Sequence, residues 1–394
     1  MQGTLDQFAL LLSLIDAFVQ QTDALMSNDI MQLEKKLADL TGRRECVLTS
    51  RATTALFLAF TGLGAARGNI IFPATLCPSP AYAAIYAGHK PIFCDVEPDT
   101  GNMSPTALKE LLKVTSNVVA ITAAHLYGQP SELGSICAIA AQHQIPVIED
   151  VAQALGATMK DGTPAGNFGI CSVLSFGYSK IIDVGYGGAL VTDDLAFANS
   201  VRSMEKQLPT PSKQQSKLAQ HYRSEYYRIR SAAALSSSRH SEFLNFPERF
   251  KPLFINRFVP FKIEATLEGL KSLGQNLAAR HGKADLYDRQ LADSGVVKLR
   301  RDAGAAPWRY CVLLPADEQT RITLHLRSAN FDASNWYPSL HRWFGTEESQ
   351  GQAQPNESLT HEDKILNLWL DHNVDEKKVL ACGKELAQLL SGKS

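Results

Sequence analysis

The sequence has no apolar run long enough to cross a bilayer, no paired-cysteine motif, no excess of charge and neither of the common glycine-rich nucleotide turns. Each absence removes a class. The most apolar N-terminal stretch, "LDQFALLLSLIDAFV", carries Asp6 and Asp16 and follows no basic segment, so it reads as an amphipathic helix over 1–28 and not as a span or a signal peptide. The seven cysteines, Cys46, Cys77, Cys94, Cys137, Cys171, Cys311 and Cys382, are odd in number and form no CxxC pair. That argues against a disulfide framework or a structural zinc site and for a reducing, cytoplasmic setting. Lys plus Arg is 39 and Asp plus Glu is 40, a net charge of −1, which offers no general attraction for nucleic acid or for an anionic membrane. No Walker A or GxGxxG turn follows the first predicted strand, which argues against a dinucleotide-dependent dehydrogenase. "HRW" at 341–343 holds one histidine without metal-ligand spacing, and the aromatic-basic "YYRIR" is a short run in a neutral protein, read as a solvated helix.

What is present is a regular alternation. The composition, 45% hydrophobic and 20% charged over 394 residues, suits a large core divided between two units. Short apolar runs predict strands at "ECVLTS", "NIIFP", "PIFCDV", "NVVAIT", "PVIED", "CSVLSF" and "GALVTDD", and helical patterns fall between most of them. This rhythm predicts a mainly parallel sheet covered by helices on both faces. It stops after Asp194. A polar helical insertion at about 195–255 follows, then a long amphipathic helix at about 262–291, then a strand at "WRYCVLLP" and a helix near "RITLHLRSANF". The expected divisions are an N-terminal helix at 1–28, a large α/β domain at 29–260 and a smaller α+β domain at 261–394.

In open α/β sheets ligands bind beyond the carboxyl ends of the strands, and chemistry-bearing residues cluster at such ends here. Ser50-Arg51-Ala52-Thr53-Thr54 joins the first strand to a helix, whose free N–H groups make an anion site; an ordinary N-cap by Ser50 or Thr53 is the other reading. Asp150 ends "PVIED", with Gln153 three residues on. A carboxylate there suits a protonated ring nitrogen, or equally a cap or turn. Ser175 ends "CSVLSF", and Lys180 follows it in "SFGYSKIIDVGYGG". A lysine in a buried, cation-lined cleft loses its proton readily and condenses with a carbonyl. A phosphate cradle, an acid for a ring nitrogen, a strand-end serine and a lysine are together the fixtures that pyridoxal phosphate needs. His125 in "HLYG" is readable as a substrate neighbour or as strand-end packing.

The runs "YAGHKPIFCDVEPDTGNMSP", "HLYGQP", "PVIEDVAQALGA", "GNFGICSVLSFGYSK" and "GYGGALVTDD" resemble the DegT/StrS-type sugar aminotransferases, enzymes of the aspartate aminotransferase-like pyridoxal phosphate fold. The resemblance implies that Lys180 is the cofactor lysine, that Asp150 faces the pyridine nitrogen and that Gln153 lies near the ring hydroxyl. It places Ala52, Thr53 and Ser175 on the phosphate. It also implies a homodimer in which Asn256, or Arg257 after a one-residue slip, reaches the partner's phosphate. Three positions depart from the pattern. Cys77 stands where an aromatic residue usually stacks on the ring, Arg51 where a small or amide residue is usual, and Tyr186 replaces the glutamate of the glycine turn. Retention of Lys180 disfavours the family's dehydratase branch. The implied activity is transfer of an amino group from glutamate to a nucleotide-linked keto-sugar, for polysaccharide or secondary-metabolite synthesis. A different keto substrate, or a non-catalytic partner protein on the same fold, remain the alternatives.

Overall fold

The computed structural model describes residues 27–212, 214–233, 240–344 and 356–392. All but the last two residues of the expected N-terminal helix over 1–28 lie outside the described residues. The main sheet has seven strands: β1 (Glu45–Thr49), β2 (Asn69–Pro73), β3 (Lys90–Cys94), β4 (Val118–Ala124), β5 (Val147–Asp150), β6 (Cys171–Ser175) and β7 (Gly188–Thr192). Their order is β1-β7-β6-β5-β4-β2-β3. β3, β2, β4, β5 and β6 run parallel, and β7 lies antiparallel between β6 and β1. Central strands β5, β6 and β7 are buried at every residue, so they read as continuous apolar runs and not as an alternation. Helices cover both faces. That over Pro105–Val114 shows how the sequence sets one: Pro105 opens it, the Ser104 hydroxyl caps the Ala107 N–H, and Leu108, Leu111 and Leu112 form its buried stripe.

A second, antiparallel sheet of β8 (Val297–Lys298), β9 (Arg309–Leu313), β10 (Ala333–Ser334) and β11 (Ile365–Trp369) has the order β10-β11-β9-β8. It has its own core, in which Val312, Leu366 and Leu368 meet Tyr287, Ile322 and Leu386 from three helices. The single long helix expected at 262–291 is two, Ile263–Lys271 and Leu273–Gln290. Ser272 separates them because its hydroxyl bonds back to the carbonyls of Glu268 (3.1 Å) and Gly269 (3.3 Å), which competes with the helical ladder. Between the two sheets in sequence, helices Leu195–Lys206, Gln214–Ala233 and His240–Phe254 carry an aromatic cluster of Tyr222, Phe246, Phe250 and Phe254.

One carboxylate knits the strand ends together. Glu149 on β5 is wholly buried and accepts from His125 Nε2 (2.7 Å), the Gly166 N–H (2.8 Å), the Phe168 N–H (2.9 Å) and the Ser172 hydroxyl (2.8 Å). His125 Nδ1 accepts from the Ser131 N–H (2.9 Å), so Nε2 is the nitrogen that donates to Glu149. His125 is thus strand-end packing. Burial alone would raise the Glu149 carboxyl, but His125 and the two backbone N–H groups outweigh it and hold the group below the usual carboxylate range. A carboxyl that titrates lower in the fold than in the unfolded chain stabilises the fold above its unfolded value, and loses that contribution as pH falls through the folded one. Glu149→Gln should therefore cost about 3 kcal/mol at pH 7 in urea denaturation, and the gap to wild type should narrow at pH 4. Equal stability at pH 7 would remove Glu149 from this role.

Candidate active site

The carboxyl ends of β1, β2, β5 and β6 face one cavity of about 380 Å³, closed on its other side by residues of the small sheet. Adjacent residues of a strand point to opposite faces, so while Glu149 turns away to bind His125, Asp150 turns into the cavity. Ala52, Thr53, Cys77, Asp150, Gln153, Ser175 and Lys180, far apart in sequence, all line it.

The helix over Ala52–Gly62 starts at the end of β1. Its N-cap is Arg51, with extended backbone and no side-chain cap. Ser50 does not cap it: its hydroxyl lies 2.9 Å from that of Thr54 and donates to the Asn256 carbonyl (2.7 Å). No side chain therefore takes the first N–H groups of this helix. The glycines of the "GYGG" turn serve this end. Gly187 has φ +100° and donates to the Ser50 carbonyl (3.1 Å), and a Cβ on Gly188 would stand 2.5 Å from the Ala52 nitrogen. Only glycine lets this turn approach the helix start so closely.

Lys180 sits in a turn pinned from both sides. Asp183 accepts from the Ser179 N–H (2.8 Å), Trp308 donates its indole N–H to the Ser179 carbonyl, and Ser179 takes φ +61°. Burial draws the Lys180 ammonium below the usual lysine range; Cys77 and Asp150 oppose this, and Arg309 adds to it. Asp150 is shifted the opposite way. Burial holds its carboxyl above the usual range, against the Ala152 N–H (2.9 Å) and Lys180. Such a carboxylate gains from a cationic N–H partner. Gln153 accepts the Tyr127 N–H (3.0 Å) through Oε1, which leaves the amide nitrogen as its free donor side.

The three departures from the family pattern also line the cavity. Burial pulls the Arg51 guanidinium down to about 10, and the phenols of Tyr186 and Tyr178 oppose the shift, so arginine and both phenols are neighbours. Tyr186 accepts the Val259 N–H (2.9 Å) and packs on Phe258 and Phe261. Cys77 contributes a thiol that donates to the Ser79 hydroxyl (3.5 Å).

Asn256 is the predicted residue that the cavity does not include. It is buried, accepts from Gln215 Nε2 (2.6 Å) through Oδ1 and donates to the Pro252 carbonyl (3.0 Å). Its amide is occupied within its own chain, whereas Arg257 beside it is exposed. What sequence reasoning missed is the small-sheet wall: Trp308, Arg309, Ser334, Trp336, Tyr337 and Trp369. Three of the chain's four tryptophans stand there, a density that was the available signal.

The residues fit pyridoxal phosphate. An uncapped helix start and Ser175 form a phosphate cradle, and a Cβ on Gly177 would stand 3.6 Å from Ser175 Oγ with no other atom within 4 Å, in open space beside that cradle. The sequence profile of the DegT/DnrJ/EryC1/StrS aminotransferase family matches residues 11–240. GDP-perosamine synthase of Caulobacter vibrioides is 35% identical over 185 residues, 47% of this chain and 49% of that protein. UDP-2-acetamido-2-deoxy-3-oxo-D-glucuronate aminotransferase of Pseudomonas aeruginosa is 33% identical over 198 residues, 49% of this chain and 54% of that protein. The chain spans about half the length of these curated relatives. The crystal structure of a DegT DnrJ EryC1 StrS aminotransferase from Brucella abortus has the same fold, with TM-score 0.73, 20% identity, and 99% of this chain and 95% of that chain covered. With its profile match across more than half of the chain, this protein belongs to the DegT/DnrJ/EryC1/StrS aminotransferase family.

Proposed function

We propose that the protein is a pyridoxal phosphate-dependent aminotransferase that moves an amino group from glutamate to a nucleotide-linked keto-sugar. The observation that carries this reading is the convergence of Lys180, Asp150 and an uncapped helix start on one cavity. Pyridoxal phosphate, when bound, supplies an aldehyde for a lysine amine and a ring that delocalises the electron pair left when a substrate C–H bond breaks. The chain supplies the rest. The N–H groups at Ala52 and Thr53, with Ser175, hold the phosphate. Asp150 would hold a proton on the ring nitrogen, and Gln153 Nε2 is placed to donate to the ring oxygen. Lys180 Nζ would hold the cofactor aldehyde and, as a free amine, would take a proton from the donor's reacting carbon and return one. A lysine whose charge is disfavoured by burial is suited to that exchange.

The nucleotide-sugar acceptor is supported by the activities that the names of the relatives carry, GDP-perosamine synthesis and amination of a UDP-linked keto-glucuronate. The helical insertion supports a closed acceptor site, because Phe254 from its last helix lines the cavity and Tyr226 lies parallel to Trp336 at 6.3 Å. The site is composite in a two-fold dimer, with the exposed Arg257, in place of the internally bonded Asn256, reaching the partner's phosphate. A cytoplasmic location accords with seven free cysteines and with no described helix long and apolar enough to cross a membrane.

Lys180→Ala and Lys180→Arg should both lose transamination by at least about 10²-fold while keeping the fold, because guanidinium stays protonated and cannot replace the amine. Wild-type turnover in either variant would end the assignment. Asp150→Asn should slow proton removal in a single-turnover half-reaction by on the order of 10²-fold, with a smaller loss in cofactor affinity. Equal rates would reduce Asp150 to a structural cap. If Arg51 adds to the phosphate cradle, Arg51→Ser should weaken cofactor binding by about 10- to 100-fold in a titration of the apoprotein. Unchanged affinity would assign Arg51 to the two phenols alone.

A further inference from the structure

The run "HLYG" reaches the active site without lining it. Its histidine serves Glu149, but its tyrosine takes part in no step above. Tyr127 follows the end of β4, is buried and takes φ +57°. It does not line the cavity, yet each of its polar groups ends on a residue that does. Its N–H donates to Gln153 Oε1 (3.0 Å), and its carbonyl accepts the Trp308 N–H (3.0 Å). Its phenol donates to the Trp336 carbonyl (2.8 Å) and accepts the Tyr337 N–H (3.1 Å). Its ring lies nearly parallel to those of Trp308, Tyr337 and His361, at 13°, 21° and 16°, with centres 6.5, 6.1 and 6.0 Å away.

These bonds tie two separate parts of the site to one residue. Gln153 belongs to the turn after β5, and the Tyr127 N–H sets which way its amide points. Trp308, Trp336 and Tyr337 belong to the small-sheet wall. The next residue repeats the contact: the Gly128 carbonyl accepts the Ala306 N–H (3.0 Å), and a Cβ on Gly128 would stand 1.8 Å from the Ala306 oxygen. Only glycine lets the two backbones meet there. From the far side, the buried Asn367 of β11 donates through Nδ2 to the same Trp336 carbonyl and accepts the Ser334 hydroxyl through Oδ1. The Trp336 carbonyl is therefore held by one donor from the large sheet's edge and one from the small sheet.

The wall so held closes on the reacting groups. Lys180 Nζ lies 5.7 Å from the centre of the Trp308 ring. Burial pushes the Tyr337 phenol well up; Cys77 and Asp150 add to the rise and Arg309 opposes it. Cys77, Asp150 and Arg309 are also the neighbours that act on Lys180, so Tyr337 stands beside the lysine's own surroundings. Without the Tyr127 hydroxyl, the buried Tyr337 N–H loses its acceptor and the wall must shift to find another. We infer that Tyr127 is the positioning residue of the active-site wall: its phenol, with Asn367, holds Trp336 and Tyr337 at the distance from Lys180 that a substrate needs. A substrate that meets a displaced wall spends binding energy on restoring it, while Lys180 and Gln153 keep their places. The substrate in this inference rests on the aminotransferase reading; the hold on the wall does not.

The experiment uses the holoenzyme with two readouts. One is the change in visible absorption on adding glutamate. The other is the fluorine resonance of Trp336 in protein labelled with fluorotryptophan, assigned with Trp336→Phe. Tyr127→Phe keeps the ring and the backbone bond to Gln153 and deletes only the hydroxyl. It should raise the half-saturating glutamate concentration by about 10-fold, with the limiting rate, cofactor affinity and absorption band unchanged. The Trp336 resonance should shift or broaden. Asn367→Ala, which removes the other donor to the Trp336 carbonyl, should show the same pattern. Wild-type half-saturation in folded Tyr127→Phe, or an unmoved Trp336 resonance, overturns the inference. A fall in limiting rate at unchanged half-saturation also overturns it, because it would place the phenol in the chemistry. If Tyr127→Phe does not fold, wild-type half-saturation in Asn367→Ala overturns it. Wild-type enzyme that shows no spectral change with glutamate would sink the aminotransferase reading, and the Trp336 resonance in Tyr127→Phe then decides the positioning role by itself.

Discussion

Glu149 is fully buried and meets four donors, and the geometry of the site depends on that arrangement. Its partners come from the end of β4, the loop before β6 and β6 itself, so one buried carboxylate fixes the relative heights of three neighbouring structures. Asp150 is the next residue along the strand. Because consecutive side chains point to opposite faces, whatever holds Glu149 on one side aims Asp150 at the cavity on the other. The two carboxylates of "PVIED" have the same chemistry and opposite environments. Hydrogen bonds pull Glu149 down despite burial, while burial prevails at Asp150 and pushes it up.

The same logic of environment governs the cations. Lys180 and Arg309 share the Trp308 indole; burial lowers both groups, and Arg309 adds to the fall at Lys180. Arginine holds its proton even when pushed down to about 10, whereas the Lys180 ammonium is lowered in the same direction from a lower starting point. A fixed cation thus stands beside a lysine whose charge burial disfavours. The Trp308 link to Ser179 fixes that neighbourhood, because it joins the small sheet to the turn that carries Lys180.

Much of this was legible in the sequence, for a physical reason. Strand, turn and helix follow one another locally in the large sheet, and a parallel sheet brings all its carboxyl ends to one edge, so Ala52, Asp150, Ser175 and Lys180 could be placed from pattern alone. The glycine turn was also local: Gly187 and Gly188 mark where backbone must approach the helix start. Residues of the small-sheet wall were not legible. Arg309 lies inside an ordinary strand pattern, and its partner Trp369 is 60 positions away and paired only by register. The choice between Asn256 and Arg257 was not legible either, since a one-residue shift exchanges a buried, internally bonded amide for an exposed guanidinium. The break at Ser272 likewise depends on a hydroxyl choosing backbone carbonyls, which periodicity does not reveal.

The central claim is that one lysine, Lys180, carries the cofactor carbonyl. Borohydride reduction of the purified holoenzyme followed by peptide mass spectrometry tests it directly, because reduction turns a reversible link into a permanent one. The account predicts a phosphopyridoxyl group on the peptide that contains Lys180 and on no other lysine. A label on a different lysine, or a reduced protein with none, would contradict it.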